Sequence, residues 1–285
     1  MNNNINFSWV VPVSASPAES ANSRIKSKSC FARARALLKK DGITLSLSLG
    51  LMIVLLAFTA GNILCAAVHE LIIVLFPGNA ALNTEIAFII IDTAGIVVGA
   101  LFSLPLSAGL MNMTAGIISD GEADLRELFV AFTGFGRFFS LSAAALPAYF
   151  PYTVIFLLNT AMTVLSAAEV DQWIVAVSGV ISVMLSVTAL IFSGVPLKKS
   201  KLFFSGFRMC RGTGSTVKNN KKTLRYGNKT TIVMTFASVW GFILSFLTLG
   251  IYYFAYFGPL LCAARAIEAS DIIYEKQIRK ESVNE

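Results

Sequence analysis

Five long runs of apolar residues constrain this chain more than any other feature. A helix needs about 20 apolar residues to cross the hydrocarbon core of a bilayer, at about 1.5 Å per residue, and every run is at least that long. Runs of this length predict transmembrane helices. They cover residues 43–68, 85–119, 137–168, 173–195 and 231–262.

The composition excludes a soluble globular protein. Hydrophobic residues make up 55% of the 285 residues, charged residues only 14%, and the mean hydropathy is +0.71. Because soluble domains carry roughly a quarter of charged residues, this chain has too few charges to cover a soluble surface. The sequence therefore predicts an all-α, polytopic integral membrane protein.

The number of crossings depends on how the last run is divided. Gly250 and the pair Gly258-Pro259 interrupt this run, so it forms either one bent helix or a spanning helix followed by a shorter one. Pro105 predicts a kink inside the second run, because its ring removes a hydrogen-bond donor and crowds the preceding turn. Five or six transmembrane helices are expected.

Positive charge is concentrated in two segments. Seven Lys and Arg residues lie between positions 24 and 40, and ten lie in 197–229, which contains no acidic residue. Because Lys and Arg are enriched in cytoplasmic loops, the N-terminus and the loop 197–229 are predicted to be cytoplasmic in a multi-pass protein of the cell membrane. Five crossings place the C-terminus outside, and six place it inside.

The chain divides into four predicted regions. Residues 1–23 are polar and rich in Asn and Ser, which predicts a disordered leader. Residues 24–42 are expected to form a basic juxtamembrane helix, which either meets anionic head groups or only anchors the topology. Residues 43–265 form the helical membrane domain, and 266–285 a polar tail.

An amphipathic stretch separates the second and third runs. Leu125, Leu128, Phe129 and Phe132 recur at i, i+3, i+4 and i+7, which is one face of an α-helix. Acidic residues surround them. We expect an interfacial amphipathic helix on the cytoplasmic side of the membrane.

Cysteine and histidine usage argues against metal or catalytic chemistry. The four cysteines are widely spaced without CxxC, and His69 is the only histidine. Neither a zinc framework nor a pair of catalytic histidines is therefore available. No nucleophile–base pair can be assigned. The chain is predicted not to be an enzyme and to use no cofactor and no metal.

Three polar residues inside the apolar runs are candidate ligand-binding residues. Asp92 is the most informative, because a carboxylate in hydrocarbon costs at least about 2.5 kcal/mol and should face the bundle interior or water. It is either an ion or proton site of a transporter or a structural carboxylate near the interface. Asn112 and Asn159 are intramembrane amides that bind a ligand or join helices by hydrogen bonding.

Gly95 and Gly99 form a GxxxG pattern in the second run. Small residues at this spacing let another helix approach closely. The pattern predicts either the interface of a homo-oligomer or packing between two helices of the same chain. Internal packing is favoured, because the chain has several helices of its own.

The basic loop interleaves aromatic rings with its first positive charges. Rings suit the membrane interface and the charges suit anionic head groups. The predicted partners are therefore membrane lipids, preferentially anionic, and not nucleic acid, while simple topology anchoring is the alternative. The candidate lipid-contacting residues are Lys198, Lys199, Lys201, Arg208 and Arg211.

Four sequence pieces occur in a characteristic order. They are FARARALLKKDG at 31–42, LPLSAGL at 104–110, DLRELFVAFTGFGRFF at 124–139 and WGFILSFLTLGIYYFAYFGPLL at 240–261. Together they resemble an uncharacterised bacterial family of multi-pass membrane proteins, related to the membrane domain found beside glycerophosphodiester phosphodiesterases. The resemblance covers most of residues 31–262 and implies a helical domain of the bacterial inner membrane without phosphodiesterase chemistry. The chain departs from the family at Gly258, where an aromatic residue is usual.

Two functional hypotheses follow from the sequence. The first is a non-enzymatic integral membrane protein whose cytoplasmic basic surfaces contact anionic lipid or a partner protein. The second is a small-solute or ion transporter that uses Asp92 in a helix-lined path. The substitution Asp92→Asn distinguishes them, since it should abolish transport in a protein that still folds, whereas the first hypothesis depends on loop charge and salt.

Overall fold

The computed structural model of this chain is helical in every element that it describes, which confirms the all-α class. It describes residues 27–40, 42–76, 85–167, 171–192, 194–209, 228–248 and 250–284; within these ranges some side chains, including those of Asp92 and Arg208, lie outside the description. The helices are α1 (Ser27–Leu38), α2 (Ile43–Leu75), α3 (Glu85–Ser119), a 3₁₀ helix (Leu125–Thr133), α4 (Phe135–Ala167), α5 (Gln172–Phe192), α6 (Gly194–Met209), α7 (Asn228–Leu247), a π-helix (Tyr253–Phe257) and α8 (Gly258–Asn284).

Three of the described helices are long and apolar enough to cross a membrane: α2, α3 over Ile89–Ser119, and α5 over Gln172–Ala189. The 3₁₀ helix and the Phe135–Pro151 part of α4 meet at a 115° bend and add a fourth span if the pair is counted as one. The last predicted run divides at Gly250, which adopts a left-handed conformation with φ of 84°. The apolar part of α7, Thr230–Gly241, is too short to cross. These helices indicate a membrane-embedded protein, but five or six crossings are not confirmed.

The helices α2 and α3 pack closely at glycine positions. An ideal Cβ on Gly61 would lie 2.3 Å from the backbone N of Gly99, and one on Gly99 would lie 2.3 Å from the carbonyl O of Phe58. Gly95 faces Asn62 in the same contact. The GxxxG pattern of α3 therefore serves packing within the chain, the alternative that the sequence favoured over a dimer face.

The helix bundle is tightly packed at one end and apolar on its outer surface elsewhere. Residues 105–118, the C-terminal part of α3, are buried and share core clusters with α1, α2, α4, α6, α8 and the 3₁₀ helix. In contrast, only 6% of the most apolar stretch of α2 is buried, and the buried share is also 6% in α5. Such an apolar outer surface fits lipid hydrocarbon better than water. α3 continues through Pro105 without an interruption of the helix.

The segment predicted as a juxtamembrane helix contains α1, which packs against α8. Cys30 and Ala34 are fully buried in a cluster that includes Ala264 and Ile267. Residues 266–284 of the predicted polar tail lie inside α8, and the side chains of residues 263–273 are buried. Both segments therefore belong to the packed end of the protein. This burial is not evident from the amino-acid sequence, because the apolar residues of both segments alternate with charged ones and form no continuous run.

The predicted interfacial helix is a 3₁₀ helix and not an α-helix. With three residues per turn, positions i and i+3 eclipse each other, so Leu128 and Ala131 point into the core together, while Phe129 and Phe132 are both about half exposed. Its backbone lies directly on α3, because an ideal Cβ on Gly109 would be 1.9 Å from the carbonyl O of Leu128. The predicted apolar face is therefore split between the core and the surface.

Candidate functional site

A cavity of about 470 Å³ lies between α2, α3, α4, α6, α7, α8 and the π-helix. Most residues of its lining are apolar, and its polar side chains fall into two main groups. The cationic end is formed by Lys201, Thr235, Ser238 and Arg265, and the hydroxyl end by Ser103, Ser107 and Tyr149.

One apolar wall of the cavity is a stripe along α2. Leu51, Val54, Leu55 and Phe58 occupy positions i, i+3, i+4 and i+7, so they share one face of the helix. Phe254 of the π-helix lies in the facing wall, and its carbonyl O accepts a hydrogen bond of 2.6 Å from the Ser48 hydroxyl of α2. This bond fixes the π-helix beside the stripe.

Two buried cations from different helices define the cationic end. Lys201 of α6 is 7% exposed, and Arg265 of α8 is 3% exposed. The Lys201 Nζ donates to the carbonyl O of Cys262 at 3.4 Å, and the Arg265 Nη2 donates to the Thr235 Oγ1 at 2.9 Å. Since all four residues line the cavity, the cavity combines an apolar body with a positively charged end.

A glycine at the start of α6 permits this arrangement. An ideal Cβ on Gly194 would lie 2.3 Å from the Thr235 Oγ1 and 3.2 Å from the Arg265 Nη1. The first turn of α6 therefore approaches both α7 and α8 closely. Lys198 and Lys201 follow at i+4 and i+7, on the same face of α6 as Gly194. Their side chains consequently point toward the protein interior.

Positive charge predominates among the buried side chains at the cationic end. Lys198, Lys201 and Arg265 carry it, and Glu268 of α8, which accepts a hydrogen bond from the Thr231 hydroxyl, is the carboxylate that acts on both lysines. The pKa of Lys201 is lowered to about 8, chiefly by burial; Cys262 and Glu268 oppose this shift, and Arg265 adds to it. Burial also lowers the pKa of Lys198, and Glu268 opposes this shift. An anion in the cavity would favour the charged form of Lys201.

The hydroxyl end joins α3 to α4. The Tyr149 hydroxyl donates to the Ser103 Oγ at 3.2 Å and also forms a hydrogen bond with the Ser107 hydroxyl. Ser103 and Ser107 are one helical turn apart and share a face of α3. These three hydroxyls form hydrogen bonds with one another. None of the described residues that line this end of the cavity is charged.

Of the three predicted ligand-binding residues, Asn112 and Asn159 are not among the described residues that line this cavity. Asn112 is buried in α3, and its Nδ2 donates to the Glu127 Oε2 at 3.2 Å, which ties α3 to the 3₁₀ helix. Asn159 is exposed on α4. Asp92 is a residue of α3, but its side chain lies outside the described residues. Ligand binding by these residues stays a prediction.

Two of the five predicted lipid-contacting residues, Lys198 and Lys201, are buried in the protein and not exposed on its surface. Lys198 is 3% exposed and Lys201 lines the cavity, so both are interior, whereas Lys199 is exposed. The Arg208 side chain and Arg211 lie outside the described residues. Contact with the head groups of the surrounding bilayer therefore stays a prediction, and Lys201 is placed to meet a ligand in the cavity.

Sequence reasoning missed Arg265, Thr235 and the hydroxyl end. A usable signal was the spacing of Gly194, Lys198 and Lys201, which places a small residue and two cations on one helical face. Comparisons of the chain with protein-family models, with curated proteins and with solved structures found no match.

Proposed function

We propose that this chain is a non-enzymatic integral membrane protein that binds an anionic lipid in the cavity described above. The observation that carries the proposal is that Lys201 and Arg265, buried on different helices, line one otherwise apolar cavity. The proposal keeps the anionic lipid expected from the sequence but moves its contact from the cytoplasmic surface to the protein interior.

Elementary electrostatics supports an anionic ligand. Removing an ammonium or a guanidinium from water is costly unless opposite charge and hydrogen bonds compensate. Lys198, Lys201 and Arg265 are buried cations, and Glu268 is the carboxylate that acts on both lysines. An incoming anion would therefore lower the cost of burying Lys201. The apolar walls would meanwhile take up the hydrocarbon part of the ligand, as in most small-molecule sites.

The position of the cavity favours a ligand from the bilayer. Its wall residues 51–58 belong to α2, and residues 103–114 belong to α3. Both helices are long and apolar enough to span a membrane. A ligand in this cavity would therefore lie beside two helices that are able to span the bilayer, where membrane lipids are abundant.

A thermal-shift experiment tests the proposal. The full chain, purified in a mild detergent, is unfolded by heat with added phosphatidylglycerol or with zwitterionic phosphatidylcholine. A ligand that binds only the folded state raises its stability, so phosphatidylglycerol should raise the Tm of the wild type and of Lys199→Gln, the exposed control. It should have much less effect on Lys201→Gln. Equal shifts for both lipids, or for all three proteins, would refute the proposal.

The transporter hypothesis is tested in the same assay. Asp92→Asn is expected to respond to phosphatidylglycerol as the wild type does, because the proposed lipid site does not use Asp92. A small solute or ion that stabilises the wild type but not Asp92→Asn would instead support the transporter hypothesis. The relation to the bacterial family and the cytoplasmic location of residues 197–229 remain predictions.

A further inference from the structure

We infer that the natural occupant of the cavity is a single-chain amphiphile with a small anionic head group, of the class represented by long-chain fatty acids. The head group would lie between Lys201 and Arg265, and the chain would extend toward Tyr149. This inference rests on the proposed function and specifies its ligand.

The volume of the cavity suits a ligand with one chain. Small-molecule cavities range over about 300–1,000 Å³, and this one, at about 470 Å³, lies in the lower half of that range. A two-chain phospholipid is larger than the ligands that such cavities enclose. It would leave one chain and part of its head group outside, whereas a single chain with a carboxylate has the size of a typical enclosed ligand.

The shape of the lining also indicates a linear ligand. On α3 the lining residues run from Ser103 to Thr114, which corresponds to about 16 Å along a helix at 1.5 Å per residue. On α2 the lining stripe from Leu51 to Phe58 corresponds to about 10 Å. The cavity is therefore lined over several turns of both helices, and most of its lining residues are apolar.

The chemistry of the cationic end favours a small head group. The ammonium of Lys201 has three donors, and the Cys262 carbonyl is its hydrogen-bond acceptor within the part of the chain that the structure describes. The guanidinium of Arg265 suits the planar geometry of a carboxylate. The hydroxyls of Thr235 and Ser238 border the same space but donate to the carbonyl O atoms of Thr231 and Met234, so a compact anion would be bound there by the two cations.

Cys262 provides a reporter inside the cavity. It lines the cavity, is partly exposed and forms no disulfide. In a chain whose other cysteines are replaced by alanine (Cys30, Cys65 and Cys210), a thiol-reactive maleimide modifies Cys262 alone. An occupant of the cavity should shield this thiol.

The experiment measures maleimide modification of Cys262 and equilibrium binding of radiolabelled palmitate, both in nanodiscs of phosphatidylcholine. Saturating palmitate should slow the modification at least fivefold in the single-cysteine chain and in its Lys199→Gln variant. In Lys201→Gln the palmitate affinity should fall at least tenfold. Hexadecanol, which has the same chain length without the charge, should protect poorly.

The outcomes separate this inference from the proposed function. If phosphatidylglycerol protects Cys262 and competes with palmitate while palmitate alone fails, the single-chain assignment is wrong and the lipid-binding proposal stands. If neither binds, both are wrong. Equal binding of palmitate and hexadecanol, or unchanged palmitate affinity in Lys201→Gln, would overturn recognition of the anionic head group. Direct palmitate binding decides the question even if Cys262 reacts slowly in every sample.

Discussion

Arg33 of α1 and Asp271 of α8 form an ion pair across 238 positions of sequence, with the Arg33 Nη2 2.8 Å from the Asp271 Oδ1. The carboxylate is buried and the guanidinium is partly exposed. The ion pair therefore connects α1, the first described helix, to α8, the last one. Since α8 also carries Arg265 and Glu268, the packing of α1 supports the helix that supplies the cationic end of the cavity.

Removal of the Arg33 side chain should destabilise the protein. Arg33→Ala would deprive the buried Asp271 carboxylate of a charged hydrogen-bond donor, a loss of about 1.5–3 kcal/mol for a bond to a charged group. We expect a lower Tm in detergent. Arg35→Ala, at an exposed position of the same helix, is the matched control and should change the Tm little. Equal Tm values for the two variants would contradict a stabilising role of the ion pair.

The contact between α2 and α3 should not tolerate even one methyl group. Gly99→Ala would place a Cβ 2.3 Å from the Phe58 carbonyl O, and overpacking of this kind costs about 1–3 kcal/mol. Gly179→Ala is the control, because the nearest atom to its Cβ, the Met162 Cε, is at an ordinary 3.5 Å. Alanine in a helix is favoured over glycine by about 1 kcal/mol. Thermal unfolding should therefore show a lower Tm for Gly99→Ala and an unchanged or higher Tm for Gly179→Ala.

The long helices were the most predictable part of the fold. The run 85–119 matches α3 at both ends, and 137–168 matches α4 within two residues, because hydropathy and helix length together determine such segments. The close contact at Gly95 and Gly99 was also an open alternative in the sequence. Local chemistry was sufficient for these predictions.

The site could not be predicted, because it depends on contacts between distant segments. Lysines are rarely buried, so a basic segment indicates a surface until its packing partner is known. Lys201 interacts with Cys262 and Arg265, which lie about 60 positions later in the sequence. The residue pattern within either segment does not predict this contact. The same applies to α1 and α8, which pack against each other, and residues 266–273 of the predicted polar tail are buried.

The buried ammonium of Lys201 should make stability depend on pH. Burial lowers its pKa from 10.5 to about 8. Between these values the unfolded chain binds more protons than the folded one, so the free energy of unfolding rises with pH in this window. Below pH 8 the full cost of burying the charge is present. Lys201→Met should therefore raise the Tm of the ligand-free protein at pH 7, and its advantage should shrink as the pH rises from 8 toward 10.5.

Measurements of Tm at pH 7, 8, 9 and 10 for the wild type, Lys201→Met and Lys199→Met check this prediction. The exposed Lys199 serves as the control for loss of one positive charge. A Tm difference between the wild type and Lys201→Met that stays constant over this range would contradict the assignment of a buried, charged Lys201.

The close approach of α6 at Gly194 should matter for both stability and ligand binding. In Gly194→Ala the new Cβ would lie 2.3 Å from the Thr235 Oγ1, which also donates to the Thr231 carbonyl O at 2.9 Å and so has little freedom to move. The hydroxyl would have to shift away from Arg265, at a cost of about 1–3 kcal/mol for overpacking. We expect a lower Tm together with weaker palmitate binding, measured in nanodiscs against the Gly179→Ala control. A lower Tm with unchanged palmitate affinity would show that Gly194 stabilises the fold without positioning Arg265 for the ligand.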